Sequence, residues 1–204
     1  MELAGLYVLT DEQLGERLEA AVDSALAGGA RIIQYRDKST DYARRETEAR
    51  MLRTLTRRYG ALLIVNDDPG LAARIEADGV HLGRDDAVIA TARRLLGAKA
   101  IIGVSCYDSL SLARDAVAAG ADYLAFGSIY PSPTKPDAVR APLSLFREAK
   151  RETDVPLCAI GGITADNAEP VVAAGADMLA VISAIFSAQD MEQATRAFTT
   201  GHAL

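Results

Sequence analysis

The chain has 204 residues, of which 50% are hydrophobic and 25% are charged, and its formal net charge is −6 at pH 7. Such a chain is long enough to bury one sizeable core, so we expect a single domain over residues 1–204. The negative charge and the lack of a lysine- or arginine-rich run argue against a nucleic-acid groove, so any anionic ligand must be bound by a local cationic site.

Short apolar runs alternate with segments of helical periodicity along the whole chain, which predicts repeated βα units. Apolar residues recur at the three-and-four spacing of a helix that packs on one side, as at Leu14, Leu18, Ala21 and Ala25. The apolar runs predict eight strands, in chain order Leu6–Leu9, Ile32–Arg36, Leu62–Asn66, Gly79–Leu82, Ile101–Ser105, Tyr123–Phe126, Leu157–Ile160 and Met178–Ile182.

A weak internal repeat supports this alternation. The stretch AAGADYLAF at 118–126 matches AAGADMLAV at 173–181, and GGARIIQY at 28–35 is similar to both. In each stretch a glycine ends a helix and a strand follows at once. Eight βα units in about 200 residues predict a (β/α)8 TIM barrel, an α/β fold. A doubly wound open sheet is the alternative, but no GxGxxG motif follows the first strand to favour it.

Other sequence features bear on the cellular location of the protein and on the kinds of metal site that it could contain. No apolar run approaches the roughly 20 residues that span a bilayer, and the N-terminal sequence lacks a basic segment followed by an apolar signal core, so we expect a cytoplasmic protein. Cys106 and Cys158 lie far apart without CxxC spacing, which favours two buried free thiols. His81 lies within the fourth predicted strand and His202 near the C-terminus, so the sequence predicts no His-rich transition-metal site, and we expect His81 to be a core or lining residue.

The active site of a TIM barrel forms at the carboxyl ends of its strands, and here polar residues follow the predicted strands. The second strand ends in QYRDK, where alternation directs Gln34, Arg36 and Lys38 to one side and Tyr35 and Asp37 to the other. This end is either a cluster of donors that face one region or a solvated, charged strand end.

Acidic residues follow the third and fourth strands. In NDDPG, Asp68 precedes a proline and is a typical helix cap, which leaves Asn66 and Asp67 without a structural role. In GRDDA, either Asp85 or Asp86 caps the following helix, and the sequence does not decide between them. The remaining carboxylates suit Mg²⁺, which proteins bind through one or two carboxylates together with substrate phosphate oxygens.

The fifth and sixth strands end in residues with hydroxyl groups. A nucleophilic serine needs an adjacent base, and the sequence offers none beside Ser105, so we expect Ser105 to form hydrogen bonds. In the loop after the sixth strand, prolines restrict the backbone and present Ser132, Thr134 and Lys135 as an oxyanion site. The loop at 127–142 is longer than most βα loops, which predicts a functional lid.

The last two strands predict a second anion site. AIGGIT places Gly161 and Gly162 in a turn whose N–H groups can bind phosphate, and Thr164 can cap the next helix. Ile182 and Ser183 follow the eighth strand, and the loops after strands seven and eight are the usual phosphate site of these barrels. A tight turn without a ligand is the alternative. Two anion regions and one metal site in a single mouth predict two phosphorylated substrates.

The motifs QYRDK, ND, GVHLGRDD, GVS, SIYPSPTK, IGGI and ISAI, in this order over nearly the whole chain, resemble the thiamine phosphate synthase family. The resemblance implies a Mg²⁺-dependent transferase that joins hydroxymethylpyrimidine diphosphate to thiazole phosphate, giving thiamine monophosphate and diphosphate. It implies ligands of the pyrimidine diphosphate at Gln34, Arg36, Lys38, Asn66, Ser105 and Lys135. It implies Mg²⁺ ligands at Asp67 and Asp86, and ligands of the thiazole phosphate at Ser132, Thr134, Gly162, Ile182 and Ser183. The catalytic residues implied are Arg36, Lys38, Ser105 and Lys135.

The sequence departs from the family pattern where Arg84, Ser128 and Ser132 replace the usual Gln, Pro and Thr. Of these only Ser132 is an assigned ligand, and it keeps the hydroxyl. The related thiazole tautomerases carry a histidine at the position of Ser128, which argues against that isomerase. A paralogue that senses thiazole phosphate is a second alternative, but it has little use for the diphosphate and metal residues. We expect small-molecule substrates without nucleic-acid or membrane partners, and the sequence leaves a homodimer open.

Overall fold

The computed structural model describes residues 3–83, 86–131 and 139–201. Eight parallel strands close into a barrel in which each strand pairs with the next along the chain and the first pairs with the last. The predicted TIM barrel is therefore confirmed. The strands are β1 Gly5–Leu9, β2 Ile32–Tyr35, β3 Leu62–Asn66, β4 Gly79–Leu82, β5 Ile101–Tyr107, β6 Tyr123–Gly127, β7 Leu157–Ile160 and β8 Met178–Val181.

Helices follow the strands and form the outer layer of the barrel. Two short 3₁₀ segments, Glu12–Arg17 and Ala165–Asn167, lie on the connections after β1 and β7. The α-helices of the described residues are α1 Leu18–Ala27, α2 Tyr42–Tyr59, α3 Pro69–Arg74, α4 Asp86–Leu96, α5 Leu110–Ala118, α6 Ser144–Glu152, α7 Glu169–Ala173, α8 Ser183–Phe186 and α9 Met191–Gly201.

Two strands end one residue earlier than predicted. β2 ends at Tyr35 because the N–H of Arg36 donates to Thr10 Oγ1 at 2.9 Å instead of joining the strand ladder. β8 ends at Val181 because Ile182 is already the N-cap of α8. At the mouth of the barrel, a side-chain hydroxyl thus ends β2, and the start of a helix ends β8.

Other strands are longer than predicted. β1 begins at Gly5 and β6 continues to Gly127. β5 continues to Tyr107 because its register with β6 shifts between Ser105 and Tyr107, and the bulge extends the pairing. Bulges change the direction of side chains at the ends of strands, so this bulge affects the direction of the side chains that β5 presents at the mouth of the barrel.

Alternate residues of each strand face the barrel interior, where side chains from alternate strands form layers. The third residues of the even strands form one layer near the mouth, composed of Gln34, His81, Ala125 and Ala180. The first residues of the same strands form a deeper layer, composed of Ile32, Gly79, Tyr123 and Met178. Between these layers lie residues of the odd strands, namely Tyr7, Ile64, Gly103 and Cys158.

A carboxylate is repeated at the amino ends of three even strands, and we call these three sites the amino-end clamps. Each carboxylate accepts the N–H of the first or second residue of the preceding odd strand and pairs with a cation of the helix before that strand, at 2.6 Å. The partners are Leu63 and Arg53 for Asp78, Ile102 and Arg93 for Asp122, and Leu157 and Lys150 for Asp177. The clamps thus tie helices α2, α4 and α6 to the base of the barrel.

The expected buried thiols are confirmed. Cys106 packs among the strands and the outer helices, whereas Cys158 packs inside the barrel, and both are free. Burial raises the pKa of the Cys106 thiol to about 12, so this neighbour of Ser105 is protonated and unreactive at neutral pH. A search of the residues that the structure describes finds no helix with the length and apolar character needed to cross a membrane.

Candidate active site

The carboxyl ends of the strands bring together most of the residues predicted for the site. All strands are parallel, so residues that end or follow them lie around one mouth of the barrel. The residues placed there with described side chains are Gln34, Arg36, Lys38, Asn66, Asp67, Ser105, Gly162, Ile182 and Ser183.

The remaining predicted residues lie outside the described part of the chain. Ser132, Thr134 and Lys135 fall in 132–138, and Arg84 and Asp85 fall between the described ranges. Asp86 is the first residue of α4, but its side chain is not among those described. The predicted oxyanion loop and the second carboxylate of the metal site therefore stay predictions.

The end of β2 divides its side chains between the interior and the helices. Tyr35 and Asp37 face α2, as the alternation predicts. The hydroxyl of Tyr35 donates to Glu48 Oε2 at 2.7 Å, and Arg44 Nη2 lies 2.6 Å from Asp37 Oδ2. These contacts use two of the polar groups of QYRDK for structure rather than for ligand binding.

The cations of the same segment have a different environment. Arg36 is half-buried and Lys38 is exposed, and among the described residues neither side chain forms an ion pair. Their backbone is held by the connection after β1, since Arg36 N donates to Thr10 Oγ1 at 2.9 Å and Lys38 N donates to Glu12 Oε1 at 3.1 Å. Two positive groups on an anchored backbone are suited to bind an anion.

Asn66 and Asp67 form a fixed polar pair at the end of β3. Asp67 has a φ of 57°, a left-handed conformation that aspartate tolerates better than most residues. Asn66 Nδ2 donates to Asp67 Oδ2 at 2.7 Å, and the N–H of Asp67 donates to His81 O at 2.9 Å. The Asp67 carboxylate is exposed and forms no ion pair with any described residue. Its neighbours thus orient it, and the described residues supply no counter-ion.

Asp68 has the structural role that the sequence predicts. Its Oδ1 accepts the N–H of Leu71 at 2.8 Å as the N-cap of α3, and Pro69 is the first helical residue. Its Oδ2 also accepts from Arg45 at 3.0 Å, a contact with α2 that the sequence does not reveal. Both oxygens of Asp68 are therefore engaged in structure.

A chain of hydrogen bonds runs through the barrel interior below the mouth, and we call it the buried polar chain. It links five side chains of five different strands, in the order Gln34, Tyr7, Tyr123, His81 and Ser105. The successive distances are 2.6 Å from Gln34 Nε2 to Tyr7 Oη, 2.8 Å between the two tyrosine hydroxyls, 2.8 Å from Tyr123 Oη to His81 Nδ1, and 2.9 Å from His81 Nε2 to Ser105 Oγ.

Gln34 and Ser105, the two ends of this chain, are among the predicted site residues, and His81 is predicted to be a core or lining residue, but the sequence assigns no role to Tyr7 and Tyr123. The available signal was the alternation within β1 and β6, which turns both tyrosines inward together with apolar neighbours. A buried tyrosine hydroxyl needs a hydrogen-bonding partner, so two inward tyrosines already imply a polar interior.

Gly103 makes room for the ring of Tyr123. A Cβ atom on Gly103 would overlap Cζ and the hydroxyl of Tyr123. The glycine of GVS in β5 therefore allows the tyrosine to reach from the deeper layer of the barrel to His81. The lack of a side chain at one position thus sets the path of the buried polar chain.

Burial keeps the buried polar chain uncharged at neutral pH. Burial lowers the pKa of His81 to about 4, and the nearby Asp67 opposes this only in part. Burial also raises the pKa of Tyr7 and of Tyr123. Both nitrogens of the His81 ring have hydrogen-bonding partners, so the imidazole is part of the chain and is not free to act as a base.

The turn after β7 is held on two sides. Gly161 and Gly162 have φ values of 108° and 65°, which favour glycine, and a Cβ on Gly162 would overlap the backbone of residues 130–131. Asn167 Nδ2 donates to Gly162 O at 3.0 Å, and Asn167 Oδ1 accepts the N–H of Thr164 at 2.8 Å. Thr164 caps the 3₁₀ segment that follows, as predicted.

The end of β8 lies next to this turn, because Ile160 of β7 pairs with Ala180 of β8. Ile182 is the N-cap of α8, and Ser183 is its first residue. The backbone N–H groups that begin α8 thus stand beside the glycine turn. The structure brings together Gly162, Ile182 and Ser183 at adjacent strand ends, where phosphate is commonly bound in this fold.

Several known proteins are similar to this chain. The family model described as thiamine monophosphate synthase matches residues 6–185. The thiamine-phosphate synthase of Thioalkalivibrio sulfidiphilus is 57% identical over 196 residues, which cover 95% of this chain and 93% of that protein. The thiamine-phosphate synthase of Thiobacillus denitrificans is 58% identical over 191 residues, covering 93% of this chain and 90% of that protein.

Solved structures show the same similarity. The thiamine phosphate pyrophosphorylase from Pyrococcus furiosus superposes with a TM-score of 0.88 at 39% identity, and the match covers 97% of this chain and 95% of that one. A 3-hexulose-6-phosphate synthase superposes with a TM-score of 0.71 at 19% identity, covering 98% of this chain and 100% of that one. At this low identity the second match shows a shared fold alone.

Proposed function

This chain belongs to the thiamine monophosphate synthase family and is a transferase of thiamine biosynthesis, and on this basis we propose that it joins hydroxymethylpyrimidine diphosphate to thiazole phosphate. The products are thiamine monophosphate and diphosphate. The observation that carries this assignment is the contrast within one mouth. Arg36 and Lys38 form no ion pair with any described residue, and they follow directly on β2, whose inward residue Gln34 belongs to the neutral, hydrogen-bonded interior.

The pyrimidine diphosphate is proposed to occupy the side of the mouth formed by β2, β3 and β5. The cationic groups of Arg36 and Lys38 would bind the diphosphate, together with Lys135 of the loop after β6. Asn66 and the hydroxyl of Ser105 would add hydrogen bonds, and Gln34 would meet the pyrimidine ring. The half-burial of Ser105 supports this, because its hydroxyl is anchored below by His81 and still borders the mouth.

A Mg²⁺ ion is proposed to join the diphosphate to Asp67 and Asp86. The described residues contain no cluster of three or more His, Cys, Asp or Glu side chains that could hold a metal by themselves. Mg²⁺ needs no such cluster, because this ion is usually bound by one or two carboxylates and completed by substrate oxygens. The oriented, exposed carboxylate of Asp67 fits such a site. When bound, the ion would neutralise charge on the leaving diphosphate.

The thiazole phosphate is proposed to occupy the side formed by β7 and β8. Gly162 brings backbone N–H groups close to the ligand, and Ser183 at the start of α8 adds a hydroxyl beside Ile182. Ser132 and Thr134 of the loop after β6 would complete the phosphate site. The contact of Gly162 with residues 130–131 supports this arrangement, because it holds the start of that loop against the glycine turn.

The reaction needs charge stabilisation more than a protein nucleophile. The aminopyrimidine donates electron density to its exocyclic methylene, so the bond from that carbon to the diphosphate oxygen can break with both electrons leaving on the diphosphate. Arg36, Lys38 and Lys135 would stabilise the departing negative charge as preorganised electrostatics. The thiazole nitrogen then forms the new bond to the methylene carbon, and alignment of the two substrates supplies further acceleration.

The direct test mixes the purified protein with both phosphorylated substrates and Mg²⁺ and measures thiamine monophosphate by chromatography. We expect product only when both substrates are present, and we expect loss of the reaction in excess chelator with recovery on adding Mg²⁺. Product formation that survives full chelation would contradict the metal assignment. No product under any of these conditions would contradict the proposed reaction itself.

A further inference from the structure

The buried polar chain has two open ends. At one end, Gln34 is 2% exposed, and among the described residues its Oε1 has no hydrogen-bonding partner although its Nε2 donates to Tyr7. At the other end, Ser105 is half-buried and borders the mouth. A buried carbonyl oxygen without a partner is costly unless a ligand satisfies it. The chain therefore joins two positions at which a ligand can bind.

The order of the protons along the chain follows from its first bond. Each tyrosine hydroxyl has one proton, so when Tyr7 accepts from Gln34 it donates its own proton to Tyr123. Tyr123 must then donate to His81 Nδ1, so Nδ1 carries no proton and the proton of the imidazole lies on Nε2. His81 Nε2 donates to Ser105 Oγ, and the Ser105 hydroxyl keeps its proton for another acceptor.

The two ends of the chain are consequently coupled. When Gln34 offers Oε1 as an acceptor, Ser105 offers a donor. If every bond were reversed, Gln34 would offer its amide as a donor and Ser105 would offer only lone pairs. A ligand that needs an acceptor at Gln34 and a donor at Ser105 can form both hydrogen bonds with the first proton order. With the reversed order it can form neither.

We propose that Tyr7, Tyr123 and His81 are positioning residues that fix Gln34 as a hydrogen-bond acceptor and Ser105 as a donor, and that they thereby select a heteroaromatic ring with an amino donor and an anionic leaving group. This inference rests on the proposed function for the identity of the ring. It adds that the specificity for an amino group depends on side chains that do not touch the substrate.

The interior layer of side chains near the mouth leaves room for a flat ring beside Gln34. Gln34 and His81 occupy two of its positions, and the opposite positions, on β6 and β8, are Ala125 and Ala180. Alanine is the smallest side chain with a Cβ, so this half of the layer leaves space above it that the Gln34 amide can border. A planar ring seated there would meet Gln34 at its edge while its substituent extends toward Ser105.

The first experiment measures the proton order directly in the unmodified protein. The protein contains two histidines, so its ¹⁵N imidazole signals are few, and a His202→Ala variant assigns them. We expect His81 to carry its proton on Nε2, with an unprotonated Nδ1. A proton on Nδ1 would reverse the chain and overturn the proposal, and this result needs neither a substrate nor a variant of the buried residues.

The second experiment compares the binding of two probes by calorimetry, the 4-amino and the 4-oxo forms of hydroxymethylpyrimidine monophosphate. We expect the unmodified protein to prefer the amino form by about tenfold or more, because the Gln34 acceptor cannot pair with the oxo group. In Tyr7→Phe and in Tyr123→Phe the preference should fall to about threefold or less, since the Gln34 amide is then free to turn.

The control is Tyr35→Phe, which makes the same chemical change one residue from Gln34 but on the face toward α2. It should leave the preference unchanged. A general loss of structure would weaken both probes equally and preserve their ratio, so the ratio separates positioning from stability. An unchanged ratio in a folded Tyr7→Phe or Tyr123→Phe protein, or no preference in the unmodified protein, would refute the inference. Failure to form thiamine monophosphate would instead refute the proposed function, because these probes report binding without turnover.

Discussion

At the scale of single residues, the buried polar chain needs a glycine at position 103 as much as it needs a tyrosine at position 123. We expect Gly103→Ala to lower the free energy of unfolding by about 1–3 kcal/mol, because the added methyl group overlaps the tyrosine ring inside a packed barrel. Urea denaturation measures this change. Gly201→Ala is the matched control, since a Cβ there meets no atom within 4 Å. Equal stability of both variants would contradict this, because it would show that the Tyr123 ring can move to accept a methyl group at position 103 without cost.

His81 makes stability depend on pH in a predictable direction. Burial lowers its pKa from 6.5 to about 4, so between these values the unfolded chain binds a proton that the folded chain does not. Stability therefore falls as the pH is lowered through this window, by about 3 kcal/mol in total from this group. We expect His81→Gln, measured by denaturation without Mg²⁺, to show a smaller decrease from pH 7 to pH 4. Parallel pH curves for the two proteins would be inconsistent with a neutral buried imidazole.

The neighbouring aspartates Asp67 and Asp68 should respond differently to the same substitution. Asp67→Asn should raise the Mg²⁺ concentration for half-maximal rate by about fivefold or more, because it removes a charge from the proposed metal site. Asp68→Asn should leave that concentration nearly unchanged, since asparagine still caps α3. It should cost up to about 1 kcal/mol of stability through the lost ion pair with Arg45. A Mg²⁺ titration in which both variants shift alike would remove the distinction.

Residues with a local signal were predictable, and residues defined by long-range contacts were not. Asp68 followed by proline identifies its own role, because a cap depends on neighbours in the sequence. Tyr7 and Tyr123 have no such signal, since their hydroxyls meet across 116 residues of sequence. The contact of Asp68 with Arg45 was missed for the same reason. The roles of Lys135 and Asp86 stay predictions that lie outside the described side chains.

At the scale of strands and helices, the amino-end clamps predict how the βα units hold together. We expect Asp78→Ala to lower the free energy of unfolding by about 2–3 kcal/mol, because the N–H of Leu63 and the guanidinium of Arg53 both lose a charged acceptor. Asp78→Asn should cost less, since an amide oxygen still accepts the N–H. Asp115→Ala, on the exposed face of α5, is the control and should change stability by about 0.5 kcal/mol or less.

The strand pattern was predictable from the sequence because each strand is a short apolar run between helical segments. The positions of all eight strands agree with the prediction, and the differences are confined to their ends. β2 ends early because of the hydroxyl of Thr10, which follows β1, and β5 runs on through a bulge against β6. Such ends depend on the neighbouring strand rather than on the run itself, so a single sequence does not contain them.

At the scale of the whole molecule, the residues that stabilise the barrel and the residues proposed to bind ligands lie at opposite ends of the barrel axis. The amino-end clamps lie at one end, and the proposed ligand sites lie at the other. We therefore expect Asp78→Ala to leave kcat and KM within about twofold of the unmodified protein at temperatures well below unfolding. Steady-state kinetics at matched folded fractions test this. A large loss of kcat in a fully folded Asp78→Ala protein would show that the two ends are coupled.

The buried polar chain also has a consequence for the order of events in folding. Each amino-end clamp joins groups at most 29 residues apart, so it can form within one helix–strand–helix segment before the rest of the barrel exists. The chain between Tyr7 and Tyr123 cannot form until distant strands have met, and closing such a large loop carries a higher entropic cost. In refolding experiments, helical circular dichroism should therefore recover first. The absorbance change of tyrosine burial and the return of activity should follow together, when β1 pairs with β8.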